Sequence, residues 1–241
     1  MIPSDTVVWH DLECGGYRSD MKLWLDLARD AGDPILDIGA GTGRVTLELA
    51  KAGHQVTAMD LDSELLAVLR QRAEGLPVSV LEADAREFQL AERFPLVIVP
   101  MQTVQLLGGP QARAGFLAAA KRQLLAGGVL AIALAPEFQE FTVSPGDPLP
   151  LPDMVELEGT VFASHPTAVR GDGPRVWLER LRERVSPEGE RELSENHIAL
   201  DRLSPRELTA EAQRAGLRAV GTHTVPETAE HIGSLVVVFR G

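Results

Sequence analysis

The chain has 241 residues, enough for one α/β domain with a moderate insertion. Its formal net charge is -12, from 35 acidic and 23 basic residues with no dominant like-charge block, which argues against broad binding to a phosphate backbone. The single cysteine, Cys14, excludes an internal disulfide, and no apolar run is long enough to span a membrane.

Met1-Ile-Pro-Ser-Asp5 lacks the basic region and apolar run of a secretory leader. Together with one cysteine, this predicts a cytoplasmic protein without a membrane partner. Residues 17–31 have an apolar helical face of Met21, Leu23, Trp24, Leu27, Ala28 and Ala31, stopped by Gly32-Asp33-Pro34. A strand follows at 35–38, then a helix at 43–52 and a strand at 55–59 that ends at Asp60. A helix over 62–74 takes Asp62 or Ser63 as its cap. Strands at 78–81 and 96–99, a helix at 111–125 and a strand at 129–134 continue the alternation. Nearly continuous apolar strands between helices imply a parallel sheet covered on both faces. Ligands of such sheets sit beyond the carboxyl ends of the strands, where Asp37, Asp60, Asp84 and the 100–105 segment all fall.

The pattern changes after Pro136. A proline-rich loop (144–153) leads into extended segments at 154–164, 174–186 and 191–201, read as an inserted antiparallel β meander. Its arginines at 175, 180, 182 and 184 read as a solvated sheet face or a dimer contact. Ser204, three residues before Glu207, opens a last helix with a capping box. Strands at 217–224 and 234–239 close the chain. The expected division is an α/β domain of 1–140 and 203–241, and an inserted β subdomain of 141–202.

Asp37-Ile-Gly39-Ala40-Gly41-Thr-Gly43 carries the most information. A strand, a glycine turn and a helix N-terminus form a nucleotide-type site, because glycine lets a ligand approach the backbone and the helix offers unpaired N–H groups. The dinucleotide pattern Gly-x-Gly-x-x-Gly wants a small residue where this chain has Arg44. Asp60 can accept hydrogen bonds from both ribose hydroxyls, a role an acid at this point also plays in dehydrogenases.

These residues resemble motif I of the class I S-adenosylmethionine-dependent methyltransferases. The resemblance implies a doubly wound, mostly parallel seven-stranded sheet with an antiparallel last strand, and S-adenosylmethionine as cofactor. It places Asp37, Gly39, Ala40, Gly41, Asp60 and Leu61 beside the cofactor. Asp84 would read the adenine amino group and the Ala85 N–H a ring nitrogen. Met101 and Gln102 would pass the methionine moiety, and Tyr17 would border it. The chain departs from the family in two places. Phe94-Pro-Leu96 lacks the frequent acid before strand four. Pro100-Met-Gln-Thr103 is not the Asn/Asp-Pro-Pro-Tyr that holds a nucleobase or glutamine amide, which counts against those substrates.

The expected activity is methyl transfer to a small-molecule nucleophile at nitrogen or oxygen, by in-line displacement. The expected partners are a small-molecule substrate, no nucleic acid and no membrane; 1–140 with 203–241 would bind the cofactor, and the resemblance to amine and amino-sugar N-methyltransferases implies that the meander of 141–202 covers the substrate or makes homodimer contacts. No residue is a clear base; His165, His197 and Glu137 are the candidates. No metal site is expected. Two other readings stand beside this one. A non-catalytic S-adenosylmethionine-binding subunit fits the lack of a base. An NAD(P)-dependent oxidoreductase requires a glycine pattern the chain lacks.

Overall fold

The computed structural model describes residues 3–228 and 231–241. Met1 and Ile2, part of the segment expected to lack a leader, lie outside the described residues. The chain divides into two compact units, residues 17–136 with 203–241 and residues 1–16 with 137–202.

The larger unit holds a seven-stranded sheet. Its strands are β1 (Ile35–Ile38), β2 (Val56–Asp60), β3 (Val78–Glu82), β4 (Phe94–Val99), β5 (Leu124–Leu134), β11 (Arg218–Val225) and β12 (Ser234–Arg240). Their order is β11-β12-β5-β4-β1-β2-β3. β1 to β5 pair in parallel, and β12 runs antiparallel to both β5 and β11. This is the expected sheet with its antiparallel last strand.

Alternation along β1 explains the two layers. Ile35 joins the apolar cluster of Trp24 and Ala28 on α2 (Met21–Ala31) and Leu49 on α3 (Thr46–Lys51). Leu36 and Ile38 point the other way, into the cluster of Phe116 and Leu117 on α5 (Pro110–Gln123) and Leu208 and Ala212 on α6 (Pro205–Arg214). On the first face, α4 (Ser63–Arg72) packs Leu66 and Leu69 against Ala58 of β2. Complete burial of side chains such as Trp24 and Phe116 contributes about 1.5–3 kcal/mol each. α6 has the predicted capping box, with the Glu207 N–H donating to Ser204 Oγ and the Ser204 N–H to Glu207 Oε2.

The smaller unit holds α1 (Asp5–Cys14) and a five-stranded sheet of β6 (Phe141–Thr142), β7 (Asp153–Leu157), β8 (Thr160–Asp172), β9 (Arg175–Val185) and β10 (Arg191–Asp201). All its pairings are antiparallel. The segment expected as one strand at 154–164 is two, turned at Glu158 (φ 49) and Gly159 (φ 82). The helix α1 has no strong apolar stripe in sequence and was not expected. It joins this unit because Val8 and Trp9 pack on Phe162, with Trp9 and Phe162 edge to face at 5.3 Å. Residues 1–16 therefore cluster with the insertion, contrary to the expected boundary.

Arg175 and Arg184 of β9 are exposed as on a solvated face, while Arg180 and Arg182 differ from that expectation. Arg182 lies over the Trp9 ring and binds the buried Glu13 carboxylate through Nε and Nη2, both at 2.9 Å. Arg180 bridges Asp153 and Ser164. Neither contact is visible without knowing that α1 lies on this sheet.

Candidate cofactor site

The carboxyl ends of β1, β2 and β4 carry the site. Gly39, Gly41 and Gly43 all adopt positive φ (77°, 54° and 97°), which glycine adopts without steric cost. A Cβ on Gly39 would sit 2.5 Å from Thr103, and one on Gly43 would sit 2.4 Å from Leu69. The turn thus approaches the segment after β4 on one side and α4 on the other.

Asp60 holds the middle of the turn. Its Oδ2 accepts the Gly41 N–H at 2.8 Å and its Oδ1 accepts the Asp62 N–H at 3.0 Å. A carboxylate has about four acceptor positions, so among the described residues each oxygen keeps room for another donor. The helix-capping role falls to Asp62, which accepts the N–H groups of Glu64 and Leu65. Leu61 beside it is exposed, an apolar surface at the mouth of the site.

Asp37 lies beneath the turn, completely buried. Its Oδ2 accepts the Thr46 hydroxyl at 2.6 Å, and among the described residues its buried Oδ1 has no partner. Burial pushes its pKa up to about 6, against the lowering effects of Thr46 and of the Arg44 charge. Ala40 is buried in the turn. On the other side, Met101 adopts a left-handed φ of 54°, rare for a side chain of this kind, and Thr103 Oγ1 donates to the Pro100 carbonyl. Gln102 starts a short turn, its carbonyl accepting the Gln105 N–H at 2.8 Å.

Gln105 is a residue the sequence reading missed. It is buried, donating from its amide to the Ala135 carbonyl and accepting the Ala135 N–H at 2.8 Å. It locks the segment after β4 to the end of β5. A glutamine that satisfies two backbone groups thirty residues away leaves no local sequence signal.

Asp84 and Ala85 follow β3. The Asp84 carboxylate is already engaged by Arg86, through its backbone N–H at 2.8 Å, Nε at 2.9 Å and Nη2 at 2.5 Å. These contacts hold its pKa below the usual carboxylate range. Tyr17 is buried, its ring 5.1 Å from that of His231 and 5.2 Å from the Arg44 guanidinium. Among the described residues its hydroxyl makes no hydrogen bond of good geometry.

The three candidate bases belong to the smaller unit. His165 pairs through Nδ1 with the Pro150 carbonyl, His197 is half-exposed 3.4 Å from Glu195, and Glu137 is exposed. Among the described residues only His197 of the three faces a carboxylate, that of the exposed Glu195. A cavity of about 480 Å³, lined in part by Arg93, Lys121 and Arg122, opens at the amino ends of β4 and β5 and contains none of the expected site residues. Among the described residues no cluster of metal-binding side chains occurs and no helix is long and apolar enough to cross a membrane.

Residues 35–128 match the family model described as a methyltransferase domain. Residues 35–128 thus carry a methyltransferase domain. Over nearly their whole lengths, two solved structures share its fold. One is an amino pentose methyltransferase, CalS10, from Micromonospora echinaspora, bound to S-adenosylmethionine (23% identical, 97% of each chain, TM-score 0.72). The other is DesVI from Streptomyces venezuelae (19% identical, 98% of each chain, TM-score 0.74). Among curated proteins, an rRNA adenine N-6-methyltransferase of Corynebacterium diphtheriae is 35% identical over 75 residues, 31% of this chain and 29% of that protein. The chain thus matches less than a third of that relative's length.

That relative, and others named as ribosomal RNA small subunit methyltransferases, overturn the expectation that nucleic acid is excluded as a partner. The expectation rested on net charge, which governs non-specific attraction to a phosphate backbone and says little about a single base in a recessed site, and on the lack of Asn/Asp-Pro-Pro-Tyr at 100–103.

Proposed function

We propose that this methyltransferase domain binds S-adenosylmethionine at the glycine turn and transfers its methyl group to a small-molecule nitrogen or oxygen nucleophile. The observation that carries the cofactor reading is Asp60, whose oxygens each take one backbone N–H and keep one face for a ribose hydroxyl. Gly39 and Gly41 leave the backbone open to close approach, and the orphaned Asp37 Oδ1 adds a buried acceptor below the turn.

When bound, the cofactor supplies an electrophilic sulfonium methyl, and methyl transfer breaks the carbon–sulfur bond as the bond to the nucleophile forms. The chain's part is to orient and to exclude water; orientation alone can contribute roughly 7–11 kcal/mol. A neutral amine acceptor arrives with its lone pair available, so the lack of an oriented base fits such a substrate. The whole-chain likeness to an amino pentose methyltransferase supports an amine-bearing small molecule.

A second reading, an RNA base as acceptor, is favoured by the rRNA methyltransferase relatives. Incubation with labelled S-adenosylmethionine, offering amino sugars in one arm and ribosomal RNA in another, separates the two. Label in the sugar arm is the expected result. Label only in RNA overturns the small-molecule reading. Stabilisation by NAD and not by S-adenosylhomocysteine in a thermal-shift assay overturns the cofactor.

A further inference from the structure

The far end of the glycine turn is held by a buried ion pair with no place in the chemistry described above. Arg44 directly follows Gly43. Its Nη1 donates to Asp20 Oδ1 at 2.6 Å and its Nη2 to Asp20 Oδ2 at 2.7 Å, fork to fork. The two side chains are only 6% and 2% exposed. Nη1 also donates to the Tyr17 carbonyl at 2.9 Å, and the Trp24 indole donates to Asp20 Oδ2 at 2.8 Å. The Arg44 guanidinium lies over the Tyr17 ring.

Desolvating two charges offsets most of their attraction, so a buried pair of this kind adds little stability over a neutral pair of similar volume. What a planar, bidentate pair supplies is fixed geometry. The turn needs it. Three positive-φ glycines in five residues have little stiffness of their own. Backbone bonds from Gly39 and Ala40 to the Met59 carbonyl and from Gly43 to the Ala40 carbonyl hold the turn's start and centre, Asp60 holds Gly41, and Arg44 anchors the end one residue beyond Gly43.

We propose that Arg44 and Asp20 are positioning residues, which preset the glycine turn for its adenosyl ligand and fasten residues 17–20 beside it. The proposal rests on the cofactor reading above. Neither residue touches the reacting atoms; both act through the turn.

The test replaces the pair as a unit. Arg44→Met with Asp20→Asn removes both charges, keeps an acceptor for the Trp24 indole and fills the space beside Tyr17. Thermal unfolding should remain close to wild type, while calorimetry shows S-adenosylhomocysteine bound at least roughly tenfold more weakly. Arg44→Lys, which keeps the charge and loses the fork, should bind with intermediate affinity, and it carries the test should the double variant fail to fold. Tyr17 is the chain's one tyrosine, so ultraviolet titration of tyrosinate follows it alone. Burial is the largest cause that pushes its phenol above the usual value of 10, so a phenol that stays raised in the double variant reports a ring still packed in place. A folded double variant that binds like wild type overturns the proposal while leaving the cofactor reading intact, as does wild-type affinity in Arg44→Lys should that variant carry the test. A wild-type protein that fails to bind S-adenosylhomocysteine overturns both.

Discussion

The Asp60 carboxylate accepts the Gly41 N–H at 2.8 Å, so the end of β2 fixes the middle of the turn that leaves β1. One side chain therefore supports the glycine turn and keeps acceptor positions for the ribose in the proposed cofactor site. Its second oxygen takes the Asp62 N–H, and Asp62 caps α4. This division of labour spares Asp60 from capping.

Asp60→Ala should weaken S-adenosylmethionine roughly tenfold or more in calorimetry, since hydrogen bonds to a charged group contribute about 1.5–3 kcal/mol each. Asp60→Asn keeps one acceptor oxygen and should fall between. Unchanged affinity in Asp60→Ala removes the ribose assignment.

Asp37 gives a dependence on pH. Its pKa rises from 3.8 to about 6 in the folded chain, because burial disfavours the charged form. A folded state that holds the proton more tightly is favoured below the unfolded pKa and loses that advantage as pH rises from about 4 through about 6. Asp37→Asn keeps an acceptor for Thr46 and never ionises. It should therefore raise the melting temperature at neutral pH, with the gain disappearing as pH falls below about 4. A gain that is the same at every pH contradicts the shift. The measurement is thermal unfolding of ligand-free protein across that range.

How far these residues could be seen in the sequence depended on what each one requires. Strand and helix periods placed every strand of the large sheet, because continuous apolar runs and glycine stops are local signals. The glycine turn was legible because positive φ favours glycine at those positions, Asp60 because it ends β2, and Asp37 through the family resemblance. Gln105, Arg44 and Asp20 were not, since a polar side chain reveals its partner only after folding. The helix α1 was missed for a related reason: its packing depends on Phe162, some 150 residues later. Net charge misled on nucleic acid because it is a sum over the whole surface.

Arg113 and Glu211 join α5 to α6 through a buried bidentate pair at 2.8 and 2.7 Å. Removing one partner leaves the other charge buried, at a cost of about 3–5 kcal/mol. Glu211→Ala should lower the denaturant midpoint sharply. Glu211→Leu with Arg113→Met should recover most of the loss. A single variant as stable as wild type would show that the freed charge finds water.

Asp84 is the expected site residue whose geometry argues against itself. Arg86 approaches it with a backbone N–H and two side-chain nitrogens, so an adenine amino group must compete for the same oxygens. The competitor is weak, because Arg86 is half-exposed and solvent screens an exposed ion pair. If adenine displaces the guanidinium, Arg86→Ala should tighten S-adenosylhomocysteine up to about fivefold, and Asp84→Ala should weaken it. Added salt should narrow the gap between wild type and Arg86→Ala, since it screens the exposed pair. Looser binding in Arg86→Ala gives the opposite answer: the guanidinium then belongs to the adenine site itself, with Asp84 serving to hold it there.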